Sequence, residues 1–290
     1  MPAVEVMITT LWGTKEKVEI SPEGPTVIIG ERINPTGKPR IVAALEKRDW
    51  DVLRQEAITQ IAQGARVIDV NVGAMGIDEV ALLPEAVKAV SEATGAPLCI
   101  DSSNPQALEA ALRVCEGKPI INSTTGEEAS LSVILPLAKE YGAAVIGLCQ
   151  DERGIAQEPE QRLEVAQKIL NRARSYGIEE NDILIDPLAL AVAAETRAGL
   201  VCLVTAQLIY ERLGLNMTAG TSNLSFGLPN RYLINNSFLA MAIWCGVNAP
   251  IVNPGSKGLV ETVLTADLIK GRDEYAVRYL KQYRKSLQQS

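Results

Sequence analysis

The sequence predicts an α/β fold, a (β/α)8 TIM barrel, and three observations support that prediction. Short apolar runs, several of them rich in β-branched residues, alternate with longer amphipathic segments. Such runs are typical of parallel strands buried on both faces, and the segments between them predict helices. Polar residues stand at the ends of most runs, where an α/β barrel carries its active site. An open doubly wound sheet is the alternative architecture.

The predicted strands are short enough to cross a barrel wall once. Residues 1–25 form an extension with a short strand pair, 5–10 and 17–20, and residues 26–290 form the barrel domain. The predicted barrel strands are 27–30, 67–70, 98–100, 119–121, 143–148, 183–185, 217–221 and 250–252.

Helix signals support the segments between the strands. Asn104 followed by Pro105 predicts an N-cap with proline in the first turn, and glycines after Tyr141 and Tyr176 predict helix ends. The predicted helices are 41–63, 79–93, 105–115, 130–141, 159–176, 196–213, 233–246, 257–270 and a closing helix at 273–287.

Composition excludes several classes of function. The chain has 290 residues, 47% of them hydrophobic, and a net charge of -7 without a basic block, which disfavours nucleic-acid binding. No apolar stretch reaches the roughly 18 residues of a membrane span, and no signal peptide pattern is present. We therefore expect a cytoplasmic protein without membrane contact. The count of histidines is 0, which removes the commonest metal ligand and general base, so no metal site is expected.

Acids and amides dominate the ends of the predicted strands. Because these ends meet at one face of a barrel, their side chains are expected to line one pocket. No lysine stands among them, which disfavours a Schiff-base aldolase. The candidates, in chain order, are Glu31, Asn34, Asp69, Asn71, Asp101, Asn122, Gln150, Asp151, Asp186, Asn223 and Asn253.

Carboxylates accept hydrogen bonds, whereas amides both donate and accept, so this pocket suits a neutral heterocycle with both kinds of group along one edge. A reduced pterin fits that description, with Asp101 and Asp186 on its donor edge and Asn122 at a mixed position. Each residue also has a simpler interpretation. Asp69 can tie down neighbouring backbone, Asp101 and Asp186 can cap the following helices, and Asn122 or Asn223 can serve as a loop hydrogen-bonding group.

Motifs around these residues resemble a known family. In this order and spacing they are similar to the methyltetrahydrofolate–corrinoid methyltransferases and, more distantly, to the folate domain of cobalamin-dependent methionine synthase. The resemblance covers roughly residues 27–270. The motifs are GERINPTG (30–37), DVNVG (69–73), CIDSSN (99–104), INST (121–124), IDPL (185–188), TSNLSFG (221–227) and NRYLINNSFLAMAIWCG (230–246).

The resemblance implies a pterin-binding barrel and assigns roles by position. Asp101, Asn122 and Asp186 bind the pterin ring, and Asn223 lies near N5 as the catalytic residue. Phe226 stands where some acetogen members of the family carry glutamine and methionine synthase-like members can carry phenylalanine, so the contacts around N5 are expected to differ from those of the former. Further pterin-site candidates are Glu31, Asn34, Asp69, Asn71, Ser222 and Arg231.

The implied reaction moves a methyl group, in either direction, between N5 of tetrahydrofolate and the cobalt of a corrinoid. The missing histidine and the lack of a cobalamin domain indicate that the corrinoid is carried by a partner protein. The family also implies a homodimer.

Two alternative functions stay open. One is a dihydropteroate synthase-like enzyme, for which residues 256–258 offer a lysine but no arginine motif is evident. The other is a non-catalytic pterin-binding scaffold for a corrinoid protein.

Overall fold

A small antiparallel hairpin precedes the main sheet in the computed structural model, which describes residues 7–287. Strand β1 (Thr9–Trp12) pairs with β2 (Lys17–Ile20), with Thr9 opposite Ile20. The second strand lies where it was predicted. The first begins and ends later than predicted, and residues 5 and 6 of the predicted strand lie outside the described part.

Eight parallel strands form the main sheet, in which each strand lies beside the next one along the chain and the last strand pairs with the first. The sheet closes on itself, because Ile251 pairs with Ile29 on one side and bridges to Gly220 on the other. The predicted barrel is confirmed, and an open doubly wound sheet is wrong. The strands are β3 (Ile29–Ile33), β4 (Val67–Asn71), β5 (Leu98–Asp101), β6 (Ile120–Thr125), β7 (Ala144–Leu148), β8 (Ile183–Asp186), β9 (Asn216–Met217) and β10 (Ile251–Val252).

Helices follow the strands and pack their apolar faces on the outside of the barrel. None in the described part is long and apolar enough to cross a membrane. The helices are α1 (Pro39–Lys47), α2 (Trp50–Ala62), α3 (Glu79–Thr94), α4 (Pro105–Leu112), α5 (Glu128–Tyr141), α6 (Pro159–Ser175), α7 (Ala198–Leu213), α8 (Arg231–Trp244), α9 (Leu259–Ile269) and α10 (Val277–Leu287).

Most predicted helices are present, but the first differs from its prediction. The segment predicted as one helix, 41–63, is two helices, because Arg48 takes a left-handed conformation with φ 53° and ends α1. The apolar spacing continues across the break, so the pattern did not reveal it. The predicted cap is confirmed: the side chain of Asn104 accepts hydrogen bonds from the N–H groups of Gln106 and Ala107.

The hairpin closes the amino-terminal end of the barrel. Leu11, Val18 and Ile20 are buried in one apolar cluster with inward-facing side chains of the barrel strands, among them Ile29 and Ile146. Burial of such side chains stabilises the hairpin on the barrel by about 25 cal/mol for each Å² of apolar surface removed from water. The division into an extension and a barrel at residue 25 stays a prediction. The hairpin thus fills the amino-terminal end of the barrel, which leaves the opposite, carboxyl-terminal end open for a cavity.

Candidate active site

A cavity of about 570 Å³ lies at the carboxyl ends of the barrel strands. It brings together all the predicted pterin-site residues except Asn71, which does not line it. Of the other strand-end candidates, Asn253 lines the cavity, whereas Gln150 and Asp151 do not. The predicted residues that line it are Glu31, Asn34, Asp69, Asp101, Asn122, Asp186, Ser222, Asn223 and Arg231.

A hydrogen-bonded pair, Asp69 and Asn122, joins β4 and β6 at one wall of the cavity. The amide nitrogen of Asn122 donates to Oδ1 of Asp69 across 3.1 Å. Asp69 is fully buried, and burial together with the charge of Asp101 raises its pKa well above the usual range. Because Asp69 holds the amide nitrogen, the carbonyl oxygen of Asn122 stays available as an acceptor for a ligand. Asp69 thus orients a side chain and does more than tie down backbone.

Asp101 ends β5 beside this pair. Burial and, to a smaller extent, the charge of Glu79 raise its pKa to about 6, while a hydrogen bond with Asn71 opposes the rise. Asn71 therefore acts on the site through Asp101, and its own Oδ1 accepts the N–H of Gly73 at 2.8 Å. Asp101 is not the cap of α4, because Asn104 fills that position. An acceptor carboxyl facing a cavity suits a ligand that donates hydrogen bonds.

Asp186 ends β8 and is held from behind. Its Oδ1 accepts the N–H of Leu188 at 2.8 Å, and burial raises its pKa to about 6 against the lowering effect of the N–H groups of Leu188 and Gly220. The N-cap of α7 is Arg197, so Asp186 does not cap that helix. The carboxyl group of Asp186 lines the cavity and can accept a hydrogen bond from a ligand there.

Arg162 on α6 fixes the turn behind Asp186. The residue is 1% exposed, and its guanidinium donates to the carbonyl oxygens of Ala156, Pro187 and Leu188 at 2.7–2.9 Å. A buried cation is costly unless its N–H groups are hydrogen-bonded, and here carbonyl oxygens meet that need. Leu188 takes a left-handed conformation in this turn, with φ 65°. Sequence reasoning missed Arg162, because it lies on a helix among exposed charges.

The turn that carries Asn223 (Thr221–Asn223) is held from two sides. The hydroxyl of Ser222 lies 3.2 and 3.3 Å from the two carboxylate oxygens of Glu31, and Arg231 donates to the Ser222 carbonyl at 2.7 Å. Burial raises the pKa of Glu31, while the hydrogen bond from Ser222 and the charge of Lys38 lower it. Glu31, Ser222 and Arg231 therefore lock the backbone next to Asn223.

Asn223 itself is exposed, and its side-chain amide makes no hydrogen bond within the part of the chain that the structure describes. Gly220 leaves room for it: a Cβ added at Gly220 would lie 3.1 Å from the amide nitrogen. Phe226, at 69% exposure, stands on the rim under the guanidinium of Arg231, which lies 5.8 Å from its ring centre. A locked turn with a free amide can donate or accept a hydrogen bond to a ligand in the cavity.

Two cations that the sequence did not predict also line the cavity, Arg32 and Lys38. No lysine stands among the predicted strand-end residues, but Lys38 reaches the cavity from the loop after β3. The segment from Asn34 to Lys38 turns back at Gly37, with φ 67°, so Nζ of Lys38 donates to the carbonyl oxygens of Glu31 and Asn34 at 3.4 and 3.2 Å. The Pro-Thr-Gly sequence at 35–37 is the signal that could have indicated this turn. Asn34 uses its Oδ1 locally, to accept the N–H of Thr36 at 2.9 Å.

The fold and the cavity define a class of protein: a (β/α)8 barrel with a cavity at its mouth that is lined by carboxyl, amide and cationic side chains. Residues 30–253 match the sequence model of a family described as pterin binding enzyme. That match spans well over half of the chain, so the chain belongs to the pterin binding enzyme family.

Named relatives narrow the class further. The chain is 31% identical over 261 residues to the methylcorrinoid:tetrahydrofolate methyltransferase of Eubacterium limosum, with 89% of this chain and 96% of that protein covered. It is 28% identical over 249 residues to the methionine synthase of Mycobacterium tuberculosis, with 81% of this chain but only 21% of that longer protein covered. The predicted family and the predicted class of enzyme, a methyltransferase, are confirmed.

Solved structures of the same fold include dihydropteroate synthases. The enzyme of Xanthomonas albilineans, in complex with indole-2-carboxylic acid and 6-chloroguanine, has a TM-score of 0.71 at 16% identity, with 91% of this chain and 98% of that chain covered. The enzyme of Yersinia pestis has a TM-score of 0.67 at 16% identity, with 91% and 99% covered. At these identities the likeness supports the fold alone.

Proposed function

We propose that this enzyme transfers a methyl group between N5 of tetrahydrofolate and the cobalt of a corrinoid that a separate protein carries. One observation carries the proposal: Asp101, Asn122 and Asp186 line one cavity together with Asn223, whose side-chain amide has no partner among residues 7–287. The name of the Eubacterium limosum relative describes this chemistry, and the match covers nearly its whole length.

The pterin ring, in this proposal, lies against the walls formed by β5, β6 and β8. Its N3–H and amino group donate to the carboxylates of Asp101 and Asp186, and the carbonyl oxygen of Asn122 accepts from a further N–H. Hydrogen bonds to charged acceptors are about twice as strong as neutral ones, which favours the ionised forms of the two acids. The roles of Glu31, Ser222 and Arg231 are to hold the turn of Asn223, and those of Asp69, Asn71 and Asn34 are to orient their neighbours.

Methyl transfer from folate breaks the N5–CH3 bond and forms a cobalt–carbon bond with the electron pair of cobalt(I). The N5 nitrogen retains the pair of the broken bond and needs a proton, because an amine anion is a poor leaving group. In the reverse direction the N5 lone pair attacks the methyl carbon, cobalt leaves as cobalt(I), and N5 loses its proton. Asn223, with water, supplies a hydrogen bond that strengthens as the charge on N5 changes. One such donor is worth about 3 kcal/mol in the transition state.

The partner and the direction are further parts of the proposal. The chain has no histidine with which to ligate cobalt, which supports a corrinoid carried by a partner protein. The name of the Eubacterium limosum relative supports transfer from methylcorrinoid to tetrahydrofolate, while the same cavity serves both directions. We further propose a homodimer that works in the cytoplasm, with residues 1–25 as an extension of the barrel domain 26–290.

A cobalt assay tests the function. The purified chain is mixed without oxygen with 5-methyltetrahydrofolate and cob(I)alamin, and separately with methylcobalamin and tetrahydrofolate, while the visible spectrum of cobalt is followed. Interconversion of the cobalt(I) and methylcobalt(III) spectra, absent with heat-inactivated protein, is the expected result. A chain that binds folate but interconverts neither free cobalamin nor a corrinoid on a corrinoid protein would instead favour a pterin-binding scaffold. Condensation of a pterin pyrophosphate with 4-aminobenzoate would favour a dihydropteroate synthase.

A further inference from the structure

The cavity has a cationic side that recognition of a pterin ring does not use. Arg32 and Lys38 line it next to β3, and Arg231 lines it from α8. Arg231 is occupied by the Ser222 carbonyl, and Nε of Arg32 lies 3.4 Å from a carboxylate oxygen of Glu56. Within the described part of the chain, Lys38 makes no ion pair and bonds only to carbonyl oxygens.

Lys38 and most of the residues that are proposed to hold the pterin ring lie on different walls of the barrel, while Glu31 on β3 and Asp69 on β4 line the cavity near Lys38. In the closed strand order, β3 lies directly across from β7, which is flanked by β6 and β8. Asn122 and Asp186 thus stand on the wall opposite the segment that carries Lys38. A ligand held at its donor-rich end by Asp101, Asn122 and Asp186 therefore points its other end toward Lys38.

We infer that Lys38 binds a carboxylate of the glutamate tail of the folate, with Arg32 beside it. This role rests on the proposed function. A folate has a hydrogen-bonding pterin head, an aromatic linker and a tail that carries carboxylates. This matches a cavity with Asp101, Asn122 and Asp186 on one side and Lys38 and Arg32 beside β3 on the other, where Glu31 is already hydrogen-bonded by Ser222. The tail subsite selects folates over pterins that lack the tail.

The position of Lys38 favours the substrate tail over an acidic group of the corrinoid protein. The side chain is partly buried, and Nζ donates to the carbonyl oxygens of Glu31 and Asn34 within the cavity wall. An ammonium group has three protons, so one stays free for a ligand. A docked protein meets the rim from outside, whereas a tail inside the cavity meets Lys38 where less water screens the charge. Burial and the charge of Arg32 lower the pKa of Lys38, the charges of Glu31, Glu56 and Asp69 partly oppose that effect, and a bound carboxylate would oppose it further.

Paired binding measurements test the inference. The dissociation constants of tetrahydrofolate and of tail-less 6-methyltetrahydropterin are measured without oxygen by calorimetry for the wild type, Lys38→Met and Lys38→Arg. Lys38→Met should weaken the binding of tetrahydrofolate about 5- to 20-fold and that of the tail-less pterin less than about 2-fold. This is the size of effect expected from the loss of one partly buried ion pair. Lys38→Arg should restore most of the preference. Lys47→Met is the matched control, because Lys47 is an exposed lysine at the end of α1 and its loss changes net charge equally.

Equal weakening of both ligands by Lys38→Met would overturn the inference, since it would show that Lys38 only holds the loop from Asn34 to Lys38. An unchanged ratio of the two affinities, with a raised KM for the corrinoid protein, would also overturn it and assign Lys38 to the partner. These outcomes are distinct from failure of the proposed function, in which the wild type binds neither ligand or shows no cobalt interconversion.

Discussion

Replacing Asp186 with asparagine should stabilise the folded chain at neutral pH and weaken its binding of a pterin. Burial raises the pKa of Asp186 from 3.8 to about 6, and this value already includes the attraction of Arg162. A gap of about two pKa units corresponds to about 3 kcal/mol between the ionised and neutral carboxyl. Asparagine keeps an oxygen for the N–H of Leu188, removes the charge and replaces the second oxygen with an NH2 group, which no longer accepts from the N–H of Gly220. We therefore expect a gain of about 1–3 kcal/mol in the free energy of unfolding at pH 7.5.

The gain in the free energy of unfolding that Asp186→Asn brings should depend on pH, and it should increase as pH rises. Between pH 3.8 and about 6 the folded state of the wild type holds a proton that the unfolded state has released. The contribution of Asp186 to stability is therefore present below its unfolded pKa and is lost as pH rises through the folded value. The advantage of Asp186→Asn should grow from about pH 4 to about pH 6 and stay constant above that.

Urea denaturation of both proteins at pH 4.5 and pH 7.5, followed by circular dichroism, measures this difference. Asp49→Asn is the control, because Asp49 is exposed between α1 and α2 and its side chain caps neither helix. It should change stability by less than about 0.5 kcal/mol. An Asp186→Asn variant no more stable than the wild type at pH 7.5, or equally favoured at both pH values, would refute this explanation. Saturating tetrahydrofolate should stabilise the wild type more than the variant.

Two further predictions concern the same cavity. The affinity of the wild type for tetrahydrofolate should fall as pH drops below about 6, because Asp101 and Asp186 take up protons near that pH and then lose acceptor capacity. Calorimetry at pH 5.0 and 7.5 measures this affinity. An affinity that rises toward acid pH would contradict the prediction. Gly220→Ala should lower turnover about 10-fold, because the new Cβ would lie 3.1 Å from the side-chain amide nitrogen of Asn223 and displace it. Stability should change little, because the φ of -77° at Gly220 suits alanine. Gly24→Ala, remote from the cavity, is the control, and unchanged turnover of Gly220→Ala would show that Asn223 tolerates displacement.

The barrel and most of the cavity could be predicted because both depend on local patterns. Buried parallel strands give apolar runs, and the residue after each run lies at the mouth, as Asp101 and Asp186 do. The sequence did not reveal residues that reach the site through contacts between distant parts of the chain. Arg162 resembles any charged helix residue, yet it lies buried against a turn that comes 25 residues later. Lys38 enters the cavity only because its loop turns back.

Local conformation also hid features from the sequence. The break at Arg48 interrupts a helix whose apolar spacing continues on both sides, so periodicity predicted one helix instead of two. Asn71 follows a strand as the mouth residues do, but it bonds to Gly73 and Asp101 and does not line the cavity. Which strand-end residue faces the ligand depends on the twist and the neighbours of each strand, and sequence position alone does not supply them.

Methyl transfer beside Asn223 is tested most directly by single-turnover kinetics. The chain is saturated with 5-methyltetrahydrofolate and mixed with cob(I)alamin, or with a corrinoid protein that the wild type methylates, and the rate constant of cobalt methylation is compared with the dissociation constant of the folate. Asn223→Ala should lower the rate constant about 100-fold while the dissociation constant changes less than about 3-fold. Equal losses in both would make Asn223 a binding residue only, and an unchanged rate constant would place the chemistry elsewhere.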